Sequence, residues 1–132
     1  MPVRLIVRPP RWLRVLAGTL FVLAAALLLY QGAQPYAVGL FPVPWDKLVH
    51  AIVFAGFGAL AWVSMGGTPP LADRIAPMAA FAVGIADEWA QAYVPGRVMD
   101  PGDLAADLLG AWLAVRILVG LRRRLAIASD PY

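Results

Sequence analysis

The stretch Asp87–Gly110 reads DEWAQAYVPGRVMDPGDLAADLLG. Five of its residues are carboxylates and one is an arginine, yet the chain on either side is apolar. Two short signals organise it. Pro95-Gly96 predicts a tight turn, because proline presets φ and glycine accepts positive φ. Asp100, Pro101 and Asp103 predict a helix start, with an N-cap acceptor, a proline at N1 and an acid at N3. The stretch therefore reads as a hairpin of two helices with its charge at the tip. Asp100 is accounted for by capping. Asp103 either complements the helix dipole or belongs to a site. Glu88 and Asp107 lie inside the helices, where capping explains neither.

The surrounding composition places this hairpin in a membrane. Of 132 residues, 61% are hydrophobic and 14% charged, against about a quarter charged in soluble domains. Mean hydropathy is +0.72. So much apolar surface exceeds what a core of this size can hide, and lipid must cover the rest. With no cysteine, disulfides, thiol nucleophiles and thiolate metal sites are excluded. The net charge of +3 is modest and the arginines sit at the two chain ends. They read as topology signals, with no nucleic-acid surface.

Four apolar spans are expected, at about 12–31, 48–67, 75–94 and 101–121. They form a membrane domain over 12–121, between a basic N-terminus (1–11) and a basic C-terminal tail (122–132). The first run also has the flanks of a cleaved signal peptide; three further apolar segments favour a retained span. Short loops rich in Pro and Gly join the spans, which predicts an all-α, compact four-helix bundle. Arg4, Arg8, Arg11 and Arg14 precede the first span and Arg122, Arg123 and Arg124 follow the last. The positive-inside rule then puts both termini in the cytoplasm of a multi-pass protein of the cytoplasmic membrane, with Arg74 in the inner loop. Trp12, Trp45, Trp62 and Tyr93 fall at span ends, where an aromatic belt is the default. Trp89 and Trp112 lie further in and are expected to pack.

This topology brings the start of span two, the end of span three and the start of span four to the outer side. Asp46 reads as the N-cap of span two, with Lys47 and His50 following. Asp46, His50, Val53 and Phe57 share one face, as do Asp103, Asp107, Gly110 and Ala114. Glu88 and Gln91 are neighbours on span three. Glu88 and Asp107 each lie roughly 10 Å from the outer end at about 1.5 Å per residue. Charged residues within spans face a bundle interior or a watery cavity. One polar pocket is expected, with His50, Glu88 and Asp107 as candidate catalytic residues. Lys47, Gln91, Arg97, Asp103 and Asp46 are candidate ligand-binding residues. Arg97 could clamp a phosphate or carboxylate, or pair with Asp100 or Asp103. The carboxylates and His50 could hold a divalent cation, but the spacing identifies no metal.

These residues resemble a known pattern. DKLVHAIVF (Asp46, Lys47, His50, Phe54), EWAQ (Glu88, Gln91), PGR (Pro95, Gly96, Arg97) and DLAADLLG (Asp103, Asp107, Gly110) follow the order and spacing of the VanZ-like family of small membrane proteins. The likeness covers about residues 46–114. Phe54 stands where that family often has Tyr, and Asp107 where it often has Asn. The resemblance implies an integral membrane protein, some relatives being linked to resistance to the glycopeptide teicoplanin, which acts on cell-wall precursors outside the membrane. It implies no particular reaction.

Two main hypotheses follow. In one, an enzyme acts at the outer leaflet on a lipid-linked or cell-wall precursor, with His50 as acid or base tuned by Glu88 or Asp107. In the other, the pocket binds a lipid headgroup or glycopeptide without turnover, or the polar network only fixes helix packing. A transporter is disfavoured by four spans without an inverted repeat. Cofactor and oligomeric state are unknown from the sequence.

Overall fold

A computed structural model of the chain describes residues 8–68 and 70–128; Arg4 and residues 129–132 of the tail lie outside them. The described residues form four α-helices and no strand: α1 (Arg11–Gly32), α2 (Trp45–Ser64), α3 (Leu71–Gln91) and α4 (Pro101–Ala128). A single 3₁₀ turn, Pro35–Ala37, interrupts the connection between α1 and α2. Helices α2 and α3 begin earlier than the apolar runs, because Asp46-Lys47 and Asp73-Arg74 form polar first turns. Helix α4 continues through the arginines at 122–124.

Three helices, α1, α2 and α4, are long and apolar enough to cross a membrane. Helix α3 has the length, but carries Asp73, Arg74, Asp87 and Glu88. It is also the helix whose inward face is richest in small and polar side chains: Ala72, Ala76, Ala80, Gly84, Asp87, Glu88 and Gln91 are all buried. The outward surface of the bundle is apolar, with Leu16, Leu23, Leu27, Ile52, Leu109 and Ile117 among its exposed residues. A continuous apolar exterior of this kind is what a hydrocarbon layer covers.

The closest approach is between α2 and α4, which run parallel. It is made possible by glycine. A methyl group on Gly110 would collide with the backbone of Ala51, and one on Gly58 would lie 2.6 Å from the Ala111 carbonyl oxygen. Small residues at a helix contact let backbones meet where no hydrophobic gradient drives association. Phe54, Phe57, Ala80 and Ala111 form the core on one side of this contact; Ala61, Trp62, Ala76, Val115 and Val119 form it on the other. Helix α1 is peripheral and leans Phe21, Ala24, Ala25 and Leu28 on the Phe57 cluster.

The two ends of the bundle differ in charge. At one end, α2 closes with a Schellman motif: Gly67 N–H donates to the Trp62 carbonyl and Gly66 N–H to that of Val63, with Gly66 at φ 78°. Arg122 donates to the Gly67 carbonyl, and Arg14 Nε to the Ser64 carbonyl at 3.3 Å. Cations at a helix C-terminus complement its dipole. Arg8, Arg11, Arg74, Arg123 and Arg124 belong to the same end. Trp62, expected in an interfacial belt, is instead buried here, and its indole N–H donates to Asp73 at 2.8 Å. Trp89 and Trp112 correct the opposite way. Both are exposed on the apolar exterior, and Trp112 lies beneath the Arg116 guanidinium.

Candidate functional site

The other end gathers six of the eight carboxylates: Asp46, Asp87, Glu88, Asp100, Asp103 and Asp107. Val94–Arg97 forms the turn that brings α3 and α4 together. Arg97 N–H donates to the Val94 carbonyl at 3.1 Å and Gly96 has φ 86°, as a type II turn with Pro95-Gly96 requires. Asp100 caps α4, as expected: its Oδ1 accepts from Gly102 N–H at 2.7 Å. Asp46 does not cap α2. That helix starts one residue earlier, at Trp45, and Asp46 accepts instead from the Lys47 backbone N–H at 2.8 Å and from its ammonium at 3.1 Å.

Lys47 is the hub of this acidic end. Its Nζ bonds Asp46, Asp100 and Asp103, the last at 2.6 Å. An ammonium has three N–H donors, and all three are engaged. Oxygens of these same carboxylates lie within 4.8 Å of one another, in reach of a single metal ion. The chain's own cation stands among them, and a metal there would have to displace it. The Lys47 ammonium beside Asp100 holds that carboxyl below the ordinary aspartate value.

His50, one turn further along α2, pairs with Asp107 of α4: Nδ1 lies 2.8 Å from Asp107 Oδ1. With Asp107 ionised, Nδ1 carries the proton and Nε2 remains a base. Nε2 is 3.8 Å from Asp103 Oδ2, too far for a hydrogen bond. The Asp107 side chain is 1% exposed and that of His50 17%. Gly84 makes room for the buried carboxylate: a methyl group there would lie 2.5 Å from Asp107 Oδ2.

Glu88 does not join this pair. Among the described residues its hydrogen bond is to the backbone N–H of Asp100, which Oε2 accepts at 2.7 Å. It ties α3 to the start of α4. Gln91 donates to Asp87 Oδ2 at 2.6 Å. Arg97 pairs with neither Asp100 nor Asp103; its guanidinium donates to the Gly32 carbonyl, at the end of α1, at 2.9 Å. The remaining carboxylate oxygens Asp87 Oδ1, Glu88 Oε1 and Asp107 Oδ2 are buried with no hydrogen-bond partner among the described residues. Such groups call for a shared proton or a bound donor.

A cavity of about 480 Å³ opens beside these groups. Asp46, His50, Asp87, Gln91, Arg97, Asp100 and Asp103 line it; Asp107 and Glu88 stand outside its lining. So of the three candidate catalytic residues, His50 faces the cavity, Asp107 positions it from behind, and Glu88 is a helix-joining acceptor. Asp87, not among the residues that the sequence put forward, lines the cavity, and so does a wall formed by α1 and its connection, where Gln31, Gly32, Tyr36 and Phe41 lie. The available signal was loop length: residues 33–44 make the longest connection in the chain and carry two aromatics. Tyr36 there donates to Gln31 Oε1 at 2.5 Å.

Compared with known protein families, curated proteins and solved structures, the chain matches none of them.

Proposed function

We propose that this chain is a VanZ-like, four-span protein of the cytoplasmic membrane. Its polar pocket opens outward, and it acts on or binds a lipid-linked or cell-wall-related ligand. Both termini are then cytoplasmic, which puts the arginine-rich end inside and the acidic end outside, as the positive-inside rule favours. Helix α3 crosses with its carboxylates turned into the bundle.

The observation that carries the reading is the dyad. A buried carboxylate holds one imidazole nitrogen, and the same imidazole lines a cavity at the acidic end of the bundle. A His so oriented is suited to move a proton to or from a bound group. The experiment is expression of the chain and of His50→Ala in a bacterial host, with teicoplanin susceptibility as the readout. Reduced susceptibility with the native chain, lost in His50→Ala at equal protein level, supports the proposal. No change with the native chain overturns the glycopeptide link.

A second reading is favoured by the saturation of Lys47 and by the Glu88 bond to Asp100. Here the polar end is a packing device that fixes how α2, α3 and α4 meet, at about 1 kcal/mol per interhelical hydrogen bond. On this reading His50→Ala lowers stability and changes nothing else.

A further inference from the structure

A second cavity, of about 390 Å³, runs between α1 and α2. Its lining is apolar: Leu27, Leu28, Val53, Gly56, Phe57 and Leu60. It shares Leu28, Gln31 and Val53 with the polar cavity, so the two adjoin. From these shared residues it descends along α1 to Ala24 and along α2 to Leu60. That is roughly 10 Å of helix at about 1.5 Å per residue. A methyl group on Gly56 would meet no heavy atom within 4 Å.

We infer that the two cavities are one site for a single-chain amphiphile, with an amine-bearing head in the polar pocket and a hydrocarbon chain in the α1–α2 groove. This rests on the membrane reading above and names the ligand class of that pocket. A head and a tail need adjoining polar and apolar volumes, with the apolar one reaching into the hydrocarbon layer; that is the arrangement here. The charge of the head follows from the walls. Asp46, Asp87, Asp100 and Asp103 face the cavity, while the Lys47 donors are already engaged. Arg97 is the one arginine in the lining. Asp87 is 3% exposed and its Oδ1 has no hydrogen-bond partner among the described residues. A head carrying only negative charge meets repulsion from these carboxylates, whereas an ammonium supplies the donor that Asp87 Oδ1 lacks.

The test uses the purified full chain in a non-ionic detergent, with lysophosphatidylethanolamine and lysophosphatidylglycerol of one chain length as probes. Native mass spectrometry reads the bound fraction. The expected result is a preference for the ethanolamine lipid of at least about tenfold, with binding reduced about tenfold in Gly56→Leu and in Leu60→Trp, both of which fill the groove. Unchanged binding in a groove variant whose melting temperature matches the native chain overturns the tail position. Should Gly56→Leu fail to fold, Leu60→Trp decides. Equal binding of the two lipids overturns the amine assignment. The His50→Ala phenotype is read separately. If the ethanolamine lipid binds through the groove but His50 has no effect, the function proposed above fails and the site stands. If His50 matters and the groove variants bind normally, the reverse holds.

Discussion

His50 Nδ1 lies 2.8 Å from Asp107 Oδ1, and Asp107 is fully buried behind it. The pair joins α2 to α4 just above the point where Gly110 meets Ala51. Asp107→Ala leaves the imidazole N–H without its acceptor and is expected to destabilise the bundle by about 1–3 kcal/mol. Asp107→Asn keeps a carbonyl acceptor in the same place and is expected to cost less. Thermal unfolding in detergent, followed by helicity, checks the order of the two; equal losses would sink the claim that the hydrogen bond positions His50.

The glycine contacts predict an asymmetric response to alanine. Gly110→Ala pushes the α4 backbone off Ala51, at an expected cost of about 1–3 kcal/mol. Gly120→Ala, where a methyl group meets nothing within 4 Å, is expected to be neutral or mildly stabilising through helix propensity. Melting temperatures of the two variants, measured side by side, test this.

Lys47 predicts a pH dependence. Asp100 has a carboxyl held below its ordinary value of 3.8, chiefly by the Lys47 ammonium. A lowered folded-state pKa contributes stability that is present above the unfolded value and lost as pH falls through the folded one. The native chain is therefore expected to lose stability below about pH 4 in part through this contact. Lys47→Met removes the contribution, lowers stability by no more than about 1 kcal/mol near neutral pH because water screens the half-exposed Asp100, and flattens the acid limb. An unfolding series from pH 3 to 7 on both proteins reads the difference.

Arg97 holds the end of α1 through the Gly32 carbonyl. Arg97→Ala is expected to speed amide hydrogen exchange over residues 32–41 while α2 and α4 keep their protection. Arg97→Lys, which retains a donor, is expected to restore part of it. Faster exchange spread evenly over all four helices would contradict a local role.

The proposed orientation is open to a direct chemical test, because the chain has no cysteine. Val98 is highly exposed in the α3–α4 turn. A membrane-impermeant thiol reagent added to intact cells is expected to label Val98→Cys and to leave Arg124→Cys unlabelled until the cells are opened. The opposite pattern would reverse the topology.

The hairpin tip was the most legible part of the sequence. Asp100 before Pro101 and Pro95-Gly96 are local signals, and each acts on its own backbone. The choice of partners was not legible. Glu88 and Asp107 sit at similar depth, yet one meets a backbone N–H and the other His50. That depends on the rotation of α3 and α4 about their axes. Helices whose apolar residues run all the way round carry little information about that rotation. The place of α1 was hidden for the same reason: nothing in WLRVLAGTLFVLAAALLLYQG singles out Leu28, Gln31 and Gly32 as a wall of the site. Helical spacing put Gly110 on the face of Asp103 and Asp107, but nothing in the sequence says that it meets Ala51 of a parallel helix.

The reach of Arg97 back to Gly32 spans 65 residues of chain, and this has a bearing on biogenesis. A ribosome releases α1 and α2 well before the last hairpin exists. Until then Lys47 has Asp46 as its acidic partner, and the end of α1 has no guanidinium to hold it. The site is consequently assembled last, by the arrival of Arg97, Asp100 and Asp103 together. A nascent chain stalled before the final turn would hold three helices and most of the residues that line the pocket, but neither the Arg97 tie nor the Asp100 and Asp103 partners of Lys47.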